Sequence, residues 1–131
     1  MTTTNKADAG LKQTIEQLIK AATNFDIETL DLIYHDDLEV IMIDNKDQKT
    51  IANKTAFSNL FKTKRDQKAT ALNTWAKFMH IKAFNNTGHV MLERKVNLTG
   101  VERTINLSID LIWEDNRWQV IREVIFTQKN L

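Results

Sequence analysis

The 131-residue chain contains no cysteine, no proline and only three glycines. Without cysteine there is no disulfide framework, no thiolate nucleophile and no thiolate-ligated zinc or iron–sulfur centre, which excludes redox chemistry through the protein's own side chains. Without proline, the turns fall to Asn, Asp and Gly. A surplus of one charge is missing too: 18 Lys and Arg against 17 Asp and Glu leave a formal net charge of +1. That is too little for the electrostatic footprint of a dedicated nucleic-acid binder. No apolar run is long enough to cross a bilayer, and the opening MTTTNKADAG lacks the apolar core of a secretory signal. No nucleic acid, no membrane and a cytoplasmic location are therefore expected.

What is present is ordinary for a globular protein, 42% apolar and 27% charged residues. The length suits one domain over residues 1–131, with residues 1–7 expected to be flexible. The first part of the chain carries helical periodicity. Leu11, Ile15, Leu18, Ile19 and Ala22 recur on one helix face, and Asp8 is available to cap its start. Asp26 is placed to cap a second helix with apolar face Ile27, Leu30, Ile33 and Tyr34, and Phe25 to pack on Leu30 as a hydrophobic staple. A strand from about Leu38 to Ile43 follows, then a third helix over Asn53 to Lys68, capped by Asn53 and apolar at Ala56, Phe57, Leu60 and Phe61.

From Asn73 onward the pattern is that of strands. Turn signals at Asn85-Asn86-Thr87-Gly88, Thr99-Gly100 and Asp115-Asn116 divide the rest into four long antiparallel strands. Read as two-residue loops, the last two turns set Leu98 opposite Val101 and Trp113 opposite Trp118. Alternation then gathers Val90, Leu92, Arg94 and Val96 with Leu111, Trp113, Trp118, Val120, Arg122, Val124 and Phe126 on one largely apolar face. The other face is polar apart from Ile112, Ile121 and Ile125. The strand over 75–84 has two readings: Lys77, Met79 and Ile81 point inward, or a bulge at Gly88 turns Phe78, His80 and Lys82 inward instead.

This α+β order resembles the nuclear transport factor 2-like superfamily, which includes ketosteroid isomerases, polyketide cyclases and dehydratases. FDIETLDLIYHDD looks like the family's helix, Tyr and acidic turn before the first strand, and LIWEDNRWQVIREV like its closing hairpin with an inward Trp. The resemblance implies a cone-shaped, curved antiparallel sheet covered by three N-terminal helices around an apolar pocket. It also implies a small apolar or acidic organic ligand and a homodimer through the outer sheet face, where Ile112, Ile121 and Ile125 would suit a two-fold interface. Ketosteroid isomerase-like members need a carboxylate base in the first strand and a first-helix Tyr to donate to the enolate oxygen. Gapless alignment on IYHDDLEVIMID puts Met42 at the first position and Leu18 at the second. A thioether takes up no proton at neutral pH and Leu donates nothing, so the pair is absent. The expectation is a small-molecule-binding protein; a cyclase, dehydratase or isomerase is the alternative, and a dimeric interaction module a further one.

Individual candidates follow from these placements. Asp36 and Asp37 suit a solvated turn. Asp44 shares the parity of Met42, and with His80 it is a weak candidate for catalysis. Arg94 and Arg122, on the apolar face, suit an acidic ligand's carboxylate or carbonyl, ion pairs with a helix carboxylate such as Asp31 or Glu28, or a place at the sheet's edge from which the guanidinium reaches solvent. The expected ligand contacts are Leu18, Tyr34, Met42, Phe57, Phe61, Trp75, Arg94, Trp118 and Arg122. His80 and His89 sit in no metal-ligand spacing, so no metal and no cofactor are expected. The run Lys62 to Lys68 complements the dipole at a helix end.

Overall fold

A computed structural model describes residues 6–68, 74–96 and 102–128. In chain order the elements are α1 (Lys6–Thr23), α2 (Ile27–Ile33), β1 (Tyr34–Ile43), β2 (Lys49–Asn53), α3 (Lys54–Asp66), β3 (Ala76–Phe84), β4 (Thr87–Val96), β5 (Arg103–Glu114) and β6 (Arg117–Thr127). The strands form one curved, unclosed sheet in the order β2-β1-β6-β5-β4-β3. Three helices and a curved sheet make the expected α+β class, with one refinement. The sheet is mixed, because β1 runs parallel to β6 while the other pairings are antiparallel.

Helix α1 buries Leu11, Ile15, Leu18, Ile19 and Ala22, the predicted stripe. It starts at Lys6, within the segment expected to be flexible; residues 1–5 lie outside the described residues. Asp8 is not its cap. Asp8 lies in the first turn, and its Oδ1 accepts the Ala83 N–H at 2.9 Å, tying the helix start to β3. At the other end Phe25 N donates to the Ala22 carbonyl and Asp26 N to the Ala21 carbonyl. This closing turn needs a left-handed residue, which is usually Gly. Phe25 fills it with φ 54, its ring buried. Asp26 then caps α2 as expected, accepting from Thr29 N at 3.3 Å. Asn53 caps α3 in the same way, accepting from Ala56 N at 2.9 Å. Phe57 is buried there, but Leu60 is exposed.

Two departures surround β1. The strand already begins at Tyr34, so Asp36 and Asp37 sit in an irregular stretch of strand, exposed, rather than in a turn. Strand β2 has no counterpart in the expectations, since KTIAN offers only one alternation of apolar residues between polar flanks.

The C-terminal hairpin is as predicted. Asp115 and Asn116 both have positive φ, the geometry of the tight turn whose twist matches paired strands, and Trp113 stands opposite Trp118. Asn85-Asn86 forms the β3–β4 loop, with Phe84 opposite Thr87. The Thr99-Gly100 turn and the Leu98–Val101 pair lie outside the described residues. Strand β3 obeys neither single reading: a bulge between Phe78 and His80 turns Ala76 and Phe78 inward before it and Ile81 and Ala83 inward after it.

A second bulge has the larger consequence. Leu111 pairs with Val120 but Asp110 with Arg122, so Ile121 is an extra residue in β6. Beyond it the faces exchange: Glu123 and Ile125 turn to the core, while Arg122, Val124 and Phe126 turn out.

Candidate functional site

On the concave, helix-covered side of the sheet the bulge delivers a carboxylate where strict alternation predicts arginine. Glu123 is only 4% exposed, set between Val40 of β1 and Ile109 of β5. Two further ionisable groups are buried with it: Arg94 of β4 at 7% and Tyr34, the first residue of β1, at 5%. The Tyr34 hydroxyl donates to the Glu123 carboxylate. Burial pushes the Glu123 carboxyl up to about 7, against the opposing pull of the Arg94 charge and the Tyr34 hydrogen bond. Burial and the neighbouring Glu123 raise the Tyr34 hydroxyl well above its ordinary range. Burial also lowers Arg94, while Glu123 and Tyr34 counter it.

An aromatic wall stands beside this cluster. Phe57 meets Tyr34 edge-on at 5.5 Å, and Phe61 meets Phe57 edge-on at 5.2 Å. Met42 packs partly buried against the same core. Tyr34, Met42, Phe57, Phe61 and Arg94 therefore share the concave side. Leu18 and Trp118 are core residues there as well; Trp118 stacks edge-on with Trp113 at 5.5 Å and lies against Gly10 of α1.

The other expected contacts are elsewhere. Arg122 lies on the outer face and pairs with Glu39 at 3.2 Å, because the bulge reverses its facing. Trp75 is 40% exposed, with Lys95 Nζ 4.8 Å from its ring centre. Asp44 is a turn residue whose Oδ1 accepts from Lys46 N and Gln48 N at 2.8 and 2.9 Å, bonds that hold its carboxyl below the usual range. His80 stands on the outer face, 5.5 Å ring to ring from His89, whose Nε2 meets Ser108 Oγ at 2.8 Å. Asp31 accepts from Ser58, and its carbonyl from Lys54, so the buried partner of Arg94 is Glu123 and not the helix carboxylate anticipated. Among the described residues no group of three His, Asp or Glu side chains is placed to hold a metal.

Glu123 is the residue that sequence reasoning passed over. The available signal was the doublet Val120-Ile121 followed by Val124-Ile125-Phe126, which breaks period-two alternation and so marks a bulge.

Two of the concavities among the described residues have volumes of about 410 Å³ each. One lies on the outer face, lined by His80, Lys82, His89, Asp110 and Ile112 among others; the second lies between α1 and β3, lined by Lys12, Glu16, Lys20 and Phe78 among others. Neither includes Tyr34, Arg94 or Glu123.

Among solved structures, an NTF-2 like protein of unknown function from Silicibacter pomeroyi matches 97% of this chain and 100% of its own, with a TM-score of 0.77 at 14% identity. The protein has the nuclear transport factor 2-like fold. A second nuclear transport factor 2-like protein, from Cytophaga hutchinsonii, matches 95% of this chain and 99% of its own, with a TM-score of 0.75 at 18% identity. A ketosteroid isomerase-like protein from Erwinia carotovora atroseptica matches 97% and 100%, with a TM-score of 0.68 at 13% identity. No protein-family model matches the sequence, and no curated protein does. The likeness is thus one of nuclear transport factor 2-like architecture, and function has to be argued from the side chains this fold brings together.

Proposed function

We propose that the protein binds a small, largely apolar organic molecule on the concave side of its sheet, with Tyr34, Arg94 and Glu123 as the polar anchor. The observation that carries this reading is the joint burial of three ionisable groups on an otherwise apolar face. Taking ions out of water costs on the order of several kcal/mol each, and well-packed apolar replacements are often as stable or more so. Polar groups converging on an apolar wall are what orients a small ligand. The partly buried Met42 and Phe61 are apolar groups that such a ligand would meet beside the cluster. Native mass spectrometry of protein purified from its own host, before and after release of bound molecules by mild denaturation, tests the reading. A reproducible ligand that is lost in a folded Arg94→Met variant supports it; an empty site in the wild type counts against it.

One observation favours the enzymatic alternative. A carboxyl near 7 is suited to proton transfer at neutral pH, so an isomerase, dehydratase or cyclase would work through Glu123 and not through Asp44 or His80. That alternative predicts turnover abolished by Glu123→Gln with ligand retention intact.

Pairing of two copies through the outer face is supported by its apolar content. Ile41 and Val124 are neighbours there, as are Ile43 and Phe126, and Ile112 and Ile121 lie on the same face. Ile125, expected among them, belongs to the core instead.

A further inference from the structure

From the charges gathered on the concave side we infer that the ligand is a carboxylic acid with an apolar body, bound as its anion together with one proton that goes to Glu123. This inference rests on the binding reading above and names its ligand class. With Glu123 ionised, its charge and that of Arg94 cancel inside a face otherwise built of Val40, Ile109, Leu107 and Phe57. A second carboxylate brought to Arg94 would leave one uncompensated negative charge in that apolar setting, which is strongly unfavourable. One proton from solvent removes the excess: the Glu123 carboxylate becomes a carboxylic acid, the ligand anion takes over the Arg94 charge, and the cluster is neutral before and after. Tyr34 cannot supply this proton near neutrality, since burial and Glu123 hold its hydroxyl protonated.

Arg94 from β4 and Tyr34 from β1 are the charged and titratable groups acting on Glu123. Its sheet neighbours are the apolar Val40 and Ile109, α3 sets Phe57 against Tyr34, and α1 directs Lys12 to the ring of Phe78. Burial has already raised the carboxyl to about 7, so the proton is taken up close to physiological pH.

The test compares phenylacetate, ionised from about pH 6 to pH 8, with its neutral relative phenylacetamide, by calorimetry and chemical-shift titration. Phenylacetate affinity should fall about tenfold per pH unit above about pH 7, as one linked proton requires. Phenylacetamide affinity should stay level. In the wild type at pH 8, where Glu123 is mostly ionised in the free protein, phenylacetate heats measured in two buffers of different ionisation enthalpy should report close to one proton taken up per ligand, falling towards none at pH 6, a readout that does not depend on any variant folding. Glu123→Gln should bind phenylacetate without pH dependence, and Arg94→Met should lose phenylacetate while keeping the amide. Binding of the amide alone, or of phenylacetate with no proton uptake, overturns this inference and leaves the binding reading standing. If neither compound binds at any pH, both fall.

Discussion

Glu123 makes folding depend on pH in a direction opposite to most carboxylates. Its carboxyl holds a proton up to about 7 in the folded protein against an ordinary value of 4.5. Between those values the folded chain carries more protons than the unfolded one, so stability falls as pH rises through this window and levels off above it. The full difference is about 3 kcal/mol. Glu123→Gln removes that slope: urea unfolding should find the variant close to wild type near pH 4.5 and more stable near pH 8. Parallel curves would show that the carboxyl is not desolvated. Asp44 behaves in the usual sense. Backbone N–H groups of Gln48 and Lys46 stabilise its ionised form, so its contribution is present at neutral pH and is lost as pH falls through the depressed value. Asp44→Ala should lower the melting temperature at pH 7, do so less in acid, and leave ligand retention untouched.

Helix α1 approaches strand β4 closely at Gly88. A Cβ built on Gly88 would lie 2.5 Å from Leu11 Cδ2, and Leu11 is fully buried. Gly88 therefore serves as a socket for Leu11. Gly88→Ala is expected to cost about 1–3 kcal/mol by overpacking. Leu11→Ala alone should cost about 2–5 kcal/mol through the cavity it leaves. The double variant should lose clearly less than the sum, because each change makes room for the other, and denaturant unfolding of the three proteins measures that coupling. Additive losses would mean that the helix shifts as a body instead.

For the molecule as a whole, the β6 bulge separates two adjacent side chains with different fates. Ile125 packs, partly buried, against the core and Phe126 is exposed on the outer face. Ile125→Glu should unfold the protein. Phe126→Glu should leave circular dichroism and melting nearly unchanged but, if the outer face pairs two copies, convert a dimer to a monomer in light scattering. A wild-type monomer at micromolar concentration would remove the dimer from consideration, since stable pairing takes roughly 1,000 Å² or more of well-packed surface.

Local chemistry made much of this legible in the linear chain. The stripe from Leu11 to Ala22, the caps Asp26 and Asn53, and the Asp115-Asn116 hairpin with its Trp113–Trp118 register each depend on residues close in sequence, so spacing alone identifies them. The candidate site was only half legible. Tyr34, Met42, Phe57, Phe61 and Arg94 share the predicted side, but a single extra residue at Ile121 exchanged Arg122 for Glu123, and alternation cannot survive an insertion that it does not detect. Short β2 and the parallel β1–β6 pairing were likewise decided by partners distant in the chain. Sequence determined the helices, the caps of two of them and most strand faces; tertiary structure decided which charges meet in the interior, because a bulge is chosen by the sheet that must curve around the helices.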